Sequence, residues 1–317
     1  VSAREPTDPV ATVLESVRSG GLLEPGRPVV VMYSGGRDST CLLDVALTVC
    51  GADAVTALHV NHGLRPSAGD DERHCVDHAE RVGVRIVVER APGPPEGNVQ
   101  AWARDLRYGA AERVAGPRDV DIAAGHTASD QAETVLYRLA ASPGRRALLG
   151  MAPRTGRLIR PLLGVFRDDT AAYCRARGLP WIDDPANEDP AHARARIRHR
   201  AMAALRDVHP AAEANIVRTA ELLRAEAAVL DAAVEDALRG GDGISLERLA
   251  GLHPALQRLV VIRMAEDAAG APVFGVGDRV GELLALGARR ATASVDLGRG
   301  VQARIAGGRL RITLAAP

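Results

Sequence analysis

Short apolar runs alternate with helix-period segments through the first two-thirds of the chain. The runs at 29–33, 54–60, 84–89, 120–124 and 157–163 are rich in Val, Ile, Leu and Ala, as strands buried on both faces are. Helical spacing of apolar positions fills 40–49, 71–82, 98–114, 130–140 and 168–177. This alternation predicts an α/β fold: a Rossmann-like parallel sheet with helices on both faces. Ligands in such sheets bind at the carboxyl ends of the strands.

The pattern changes after Pro210. Ile216, Ala220, Leu223, Leu230, Val234 and Leu238 fall on one stripe and predict a long amphipathic helix over 211–239, ended by Gly240-Gly241-Asp242-Gly243. Helices over 245–269 and 277–286 are expected next. Val301, Ala303 and Ile305, then Leu310, Ile312 and Leu314, alternate around Gly307-Gly308 and predict a β-hairpin. Two domains are therefore expected: an α/β domain over 1–207, and a small, mostly helical domain over 208–317 that ends in the hairpin.

A content of 46% hydrophobic and 25% charged residues over 317 positions fits a globular protein. No apolar run approaches a membrane span, and residues 1–10 lack an apolar signal core, so a cytoplasmic location is expected. Cys41, Cys50, Cys75 and Cys174 form no Cys-x-x-Cys pair, which disfavours a thiolate-held metal or cluster. Formal net charge is zero, yet its distribution is uneven: between 138 and 206 fourteen arginines face six acids, a local excess of +8 suited to a polyanion.

The sharpest chemical signal is Ser34-Gly35-Gly36-Arg37-Asp38-Ser39, between the first strand and the first helix of the alternation. A glycine turn feeding a helix N-terminus collects free N–H groups and the positive end of the helix dipole, an anion site. The loop lacks the lysine of a Walker loop and the spacing of a dinucleotide fingerprint. It resembles the pyrophosphate loop of the ATP pyrophosphatases, which split ATP into AMP and pyrophosphate.

Further segments narrow the resemblance. They are His59-Val60-Asn61-His62-Gly63-Leu64-Arg65, Ala103-Arg104-Asp105-Leu106-Arg107-Tyr108, Gly125-His126-Thr127-Ala128-Ser129-Asp130-Gln131-Ala132-Glu133-Thr134, Trp181-Ile182-Asp183-Asp184-Pro185-Ala186-Asn187 and Arg196-Ile197-Arg198-His199. Together with the glycine loop they resemble the tRNA(Ile)-lysidine synthetase family, well over 29–205 and loosely beyond. The resemblance implies an adenine nucleotide hydrolase-like sheet and an ATP- and Mg2+-dependent ligase. Its partners would be free L-lysine and an isoleucine tRNA with a CAU anticodon. The wobble cytidine would be adenylated on its ring carbonyl oxygen, and the lysine amine would then displace AMP.

On that resemblance Ser34, Gly35, Gly36, Arg37, Asp38, Ser39, His62 and His126 are candidate ATP contacts. Asp38 is also the candidate Mg2+ partner, since hard cations take carboxylate and phosphate oxygens. Asp38, Asp130 and Arg107 are the candidate catalytic residues, with Asp130 the first choice of base for the lysine ammonium. Asp130 equally suits a helix cap. Arg194, Arg196 and Arg198 are candidate tRNA contacts, and Trp102 is expected in the core. The chain departs from the family pattern at Ser129, where a second acid is usual, and at Ala195, where asparagine is frequent. A homodimer through the 211–239 stripe stays open. So do the rival readings: a tRNA-thiolating relative, a small-molecule carbon–nitrogen ligase and a catalytically dead tRNA-binding paralogue.

Overall fold

The computed structural model describes residues 8–93, 97–117, 119–141, 144–183, 193–288 and 292–315. Its chain contacts divide it into two compact units, Val1–Glu221 and Leu222–Pro317.

The first unit is built on β1 (Val29–Met32), β2 (Val55–Asn61), β3 (Arg85–Arg90), β4 (Asp121–Ala123), β5 (Arg154–Thr155) and β6 (Leu158–Ile159). Its helices are α1 (Pro9–Gly20), α2 (Arg37–Cys50), α3 (Ala68–Arg81), α4 (Val99–Ala115), α5 (Ala128–Ala141), α6 (Arg145–Leu148), α7 (Arg167–Ala176), α8 (Ala193–Arg196), α9 (Met202–Val208) and the start of α10 (Ala212–Leu238). The strand order is β3-β2-β1-β4-β6-β5, parallel except for the edge strand β5. The order reverses at β1: β2 lies on one side and β4 on the other. A crevice therefore opens at the carboxyl end of β1, where the glycine loop begins.

The alternation of β1 explains the two layers. Val29, Val31 and Tyr33 point into a core with Val13 and Val17 of α1, Leu42 and Leu43 of α2 and Tyr173 of α7. Val30 and Met32 point the other way, onto Ala110, Ala111 and Ala115 of α4. Ala128 and Ala132 of α5 pack with Met202 and Val217.

Several elements differ from the pattern reading. Helix α1 is added: the Asp8 side chain accepts from Val10 N–H at 2.9 Å, Pro9 opens the helix and Gly21 closes it in the left-handed region. The strand expected over 157–163 shrinks to β6, because Pro161 follows and cannot donate to a ladder; β5 turns back on it around Gly156. The sheet is thus mixed at one edge.

In the second unit the C-terminal part of α10 leads to β7 (Ile244–Ser245), α11 (Leu246–Gly251), α12 (Pro254–Ala269), α13 (Val280–Ala288), β8 (Ala293–Gly298), β9 (Val301–Ala306) and β10 (Arg309–Leu314). The helix expected over 245–269 is split at His253-Pro254, where proline begins α12 and the His253 ring accepts from Ala255 N–H at 3.2 Å. The expected hairpin exists, β9 on β10, and is extended by β8 and β7 into an antiparallel sheet of order β7-β10-β9-β8. Val295, Leu297, Val301, Ala303, Ile305 and Leu310 bury one face of it. Among the described residues no helix is long and apolar enough to cross a membrane.

Candidate active site

The glycine loop is wound by its own hydroxyls. Ser39 Oγ donates to Gly36 C=O at 2.8 Å, accepts from Ser34 N–H at 3.2 Å and lies 3.1 Å from Ser34 Oγ. Gly35 has φ +80°, and a Cβ there would stand 2.9 Å from both Cys75 Sγ and Ile182 Cδ1, so conformation and space both demand glycine. Gly36 caps α2 and bridges in parallel to Ile182, whose N–H donates to Gly35 C=O at 2.9 Å. The Trp181–Asp183 stretch thereby borders the loop; residues 184–192, including Asp184–Asn187 of the sequence motif, lie outside the described residues.

Asp38 stands in the first turn of α2, part-buried. Its Oδ1 accepts from Thr170 Oγ1 at 2.5 Å and from Arg37 Nε at 3.2 Å, and Oδ2 has no partner among the described residues. A carboxylate with one open oxygen beside a phosphate-binding turn suits Mg2+, whose remaining ligands are phosphate oxygens and water. No group of three acid, His or Cys side chains that could hold a metal by themselves is found among the described residues.

The loop after β4 is pressed onto this turn. A Cβ on Gly125 would come within 3.3 Å of Asp38 C=O and Ser39 Cα. Two residues on, Thr127 and Asp130 cap α5: Asp130 Oδ2 accepts from Thr127 N–H at 2.9 Å and from Thr127 Oγ1 at 2.8 Å. Asp130 is thus a cap, and it has a second duty. Its Oδ1 receives Arg167 at 3.0 Å, and Arg167 also reaches buried Glu133 at 3.0 Å. Burial works against ionised Asp130, but Arg167 and Thr127 outweigh it and hold the pKa below the usual carboxylate value. Burial likewise opposes the Arg167 charge, while Asp130, Glu133 and Asp38 raise its pKa. Ser129, where the family usually has an acid, is buried and its hydroxyl accepts from Arg167 N–H at 3.2 Å.

On the other flank lie His62 and Arg107. Burial and then Arg107 lower the His62 pKa, and its ring meets Trp102 edge-on at 5.9 Å, so Trp102 is half-buried against a site residue rather than in the core. The buried Nε of Arg107 and the buried hydroxyl of Tyr108 have no partner among the described residues. Arg104 stacks over the Tyr108 ring at 4.8 Å, with Arg107 at 5.8 Å.

Beyond Tyr108 a cavity of about 190 Å³ opens between α4, α5 and the segment around β5 and β6. Arg104, Arg138, Arg160 and Arg194 line it together with His126 and Thr134. None of these arginines, nor Arg107, forms an ion pair among the described residues. Arg138 donates to Gly150 C=O at 2.5 Å, Arg160 to Ala152 C=O at 2.6 Å and Arg194 to Thr134 Oγ1 at 3.4 Å. Burial lowers the pKa of Arg107, Arg138 and Arg160, with neighbouring arginines adding to the effect. The His126 imidazole is driven down to about 4 by burial, against the pull of Asp130 and helped by Arg160, Arg194 and Arg107.

The sequence candidates therefore separate. The glycine loop, Asp38, His126 and Asp130 share one rim at the ends of β1 and β4, and Arg194 faces the cavity. Arg196 is exposed on α8, whereas Arg198 turns inward to Glu133 at 2.8 Å. Glu133, Arg167, Thr170, Arg138 and Arg160 are not among the sequence candidates. Glu133 lies within a quoted motif and three of the others are arginines of the +8 segment or its flank, but only packing distinguishes them from solvated charges.

Comparison with known proteins extends the geometry. Residues 10–205 match the model of the PP-loop domain. A tRNA(Ile)-lysidine synthase of Salinispora tropica is 39% identical over 302 residues, spanning 88% of this chain and 88% of that protein. The enzyme of the same name from Methylococcus capsulatus is 36% identical, over 79% of this chain and 60% of its own length. Among solved structures, a U34-tRNA thiolase from Methanococcus maripaludis with its [4Fe-4S] cluster superposes with a TM-score of 0.58 at 20% identity, covering 68% of this chain and 79% of that one; the likeness is one of fold.

Proposed function

The chain belongs to the tRNA(Ile)-lysidine synthase family of PP-loop proteins, and from that premise we propose how its residues carry the reaction. The activity is ATP-dependent ligation of lysine to the wobble cytidine of the CAU anticodon of tRNA(Ile), with release of AMP and pyrophosphate. The observation that carries the assignment to this site is the pyrophosphate-type turn of Gly35 and Gly36, with Asp38 beside it keeping one oxygen open.

The turn presents backbone N–H groups at the start of α2 to the β- and γ-phosphates of ATP. Mg2+ held at Asp38 Oδ2 would neutralise charge on the departing pyrophosphate. Arg37 and Arg107 stand as the cations that stabilise charge developing at the α-phosphorus. His62 and His126, neutral near pH 7 because burial lowers both pKa values, flank the nucleotide as hydrogen-bonding rings.

Adenylation makes the ring oxygen a leaving group. The attacking lysine nitrogen gains positive charge as its bond to the ring carbon forms, and ionised Asp130 stabilises that charge. Its lowered pKa makes Asp130 a weak base, so the amine must arrive neutral; at an ordinary pKa near 10.4 that is about one molecule in a few thousand at pH 7. The ring carbon–oxygen bond then breaks, AMP leaves with that oxygen, and the nitrogen's proton passes to solvent water. Arg194 and Arg196 are the tRNA contacts this reading retains; Arg198 acts through Glu133. The thiolation alternative has weaker support: all four cysteines are buried, and the two that back the glycine loop, Cys75 behind Gly35 and Cys174 on Arg37 C=O, are packed away from solvent.

The test is an AMP-release assay. Release should require ATP, Mg2+, lysine and CAU-anticodon tRNA together. AMP formed equally well without tRNA would point to a small-molecule ligase, and tRNA binding with no AMP at all to a dead paralogue.

A further inference from the structure

Arginine cannot shed its proton at working pH, so charge gathered in one place must be balanced by something. Several arginines of this unit are balanced internally: Asp121 takes Arg27 and Arg154, Asp44 takes Arg177, and Glu133 takes Arg167 and Arg198. The cavity gathers arginines that are not. Arg104, Arg138, Arg160 and Arg194 converge on it without a carboxylate in its lining. Arg160 is only 7% exposed, and among the described residues its buried Nε has no partner, nor has the buried Nδ1 of His126. An unsatisfied buried guanidinium donor is costly and calls for an acceptor from outside.

The chemistry of the three substrates selects among them. Free lysine carries a net positive charge, and its single carboxylate cannot balance four guanidinium groups. The ATP phosphates are already met by the glycine turn. The remaining anion is RNA. We infer that the cavity is a phosphodiester subsite, in which Arg104, Arg138, Arg160 and Arg194 hold the tRNA backbone next to the wobble nucleotide. The contact of Gly125 with Asp38 and Ser39 places His126, and with it the rim of the cavity, beside the pyrophosphate turn. The backbone of the target nucleotide would then be gripped on one side of that loop while ATP is held on the other. A planar guanidinium fork matches two phosphate oxygens, and a cavity of about 190 Å³ has room for a phosphodiester group. The identity of the RNA rests on the lysidine synthase reading; the anion chemistry does not.

Binding, rather than turnover, tests it. Full-length CAU-anticodon tRNA is assembled by ligation with a single uncharged methylphosphonate at each anticodon-loop linkage in turn, and Kd is read by fluorescence anisotropy with the intact chain. One linkage flanking the wobble cytidine should weaken binding about tenfold, the loss expected for a charge-assisted contact. Arg104→Gln, at an exposed residue whose only described contact is the Tyr108 ring, should weaken unmodified tRNA by a similar factor and flatten the salt slope by about one. Combining the variant with the sensitive linkage should add nothing further. Arg138→Gln supplies a second variant, and the wild-type linkage scan needs no variant at all. Methylphosphonates that all bind like the natural tRNA would overturn the subsite. So would additive losses, or an Arg104→Gln variant that raises KM for lysine or ATP while sparing tRNA. A tRNA that binds with the expected linkage sensitivity but is never joined to lysine would defeat the proposed function and leave the subsite standing.

Discussion

The two ends of the central sheet treat arginine in opposite ways. At the amino end, Asp121 opens β4 almost fully buried and is gripped by Arg154 at 2.6 and 3.1 Å and by Arg27 at 2.8 Å. Burial works against its charge, yet both arginines hold its pKa below the usual carboxylate value. At the carboxyl end, the guanidinium groups around His126 meet backbone carbonyls and threonine hydroxyls, and burial lowers the pKa of Arg138 and Arg160. A closed network holds strands together. An open one is strained by its own charge and is relieved by a ligand. The same residue type therefore serves stability at one end of the strands and function at the other, and only its counter-ions tell which.

Removing charge should separate the two ends cleanly. The largest effect is expected at the loop itself: Asp38→Ala should lower kcat by at least about 10³-fold, as loss of metal and charge stabilisation does, while tRNA Kd stays within about twofold. Parallel loss of both would make Asp38 a structural residue, held for Thr170. Gly35→Ala places a Cβ against Cys75 and Ile182 in a left-handed turn, and should raise KM for ATP about thirtyfold, the equivalent of about 2 kcal/mol of strain. An unchanged KM would mean that the turn does not carry the phosphates.

The amino end should respond in stability instead. Asp121→Ala should destabilise the fold by about 2–3 kcal/mol, less than a fully buried pair because Arg27 and Arg154 reach solvent, with kcat unchanged below the melting transition. The sign with pH follows from a lowered native pKa. Stability from Asp121 is complete above its unfolded value of about 3.9 and is lost as pH falls through the native one, so wild type and variant should converge in Tm at low pH. Arg104→Gln should do the reverse of Asp121→Ala, leaving Tm equal or slightly higher because it removes like-charge repulsion. A clear fall in Tm would mean that the cavity arginines hold the fold.

Much of this comparison is legible in the sequence. The strand–helix alternation places the sheet, and Ser34–Ser39 marks the switch point because a glycine turn between strand and helix leaves local traces. The excess of arginine over 138–206 announces a polyanion site. What local pattern cannot show is pairing. Arg160, Arg167, Arg194 and Arg198 look alike in sequence, yet two neutralise buried carboxylates and two face a cavity. Asp130 suits a cap and a catalytic acid equally, and the structure uses one oxygen for each kind of contact. Strand β8 is faint in the sequence because only Val295 and Leu297 mark its buried face before Gly298 ends it, and α1 because its apolar stripe is short, although Asp8-Pro9 and Gly21 mark both its ends.

The smallest effect is a slope. With Asp130 held ionised and weakly basic, kcat/KM for lysine should rise about tenfold per pH unit from 7 to 9, following the neutral amine. A plateau above pH 7 would reveal a base of higher pKa than Asp130.

The central claim is tested most directly by mass spectrometry of CAU-anticodon tRNA(Ile) after incubation with the protein, ATP, Mg2+ and lysine, with nuclease digestion to locate the change. The account predicts one added lysine, joined with loss of water, on the wobble cytidine, and none on that tRNA when lysine or ATP is withheld. An unaltered wobble cytidine alongside an active control enzyme, or a sulfur substitution in place of lysine, would contradict it.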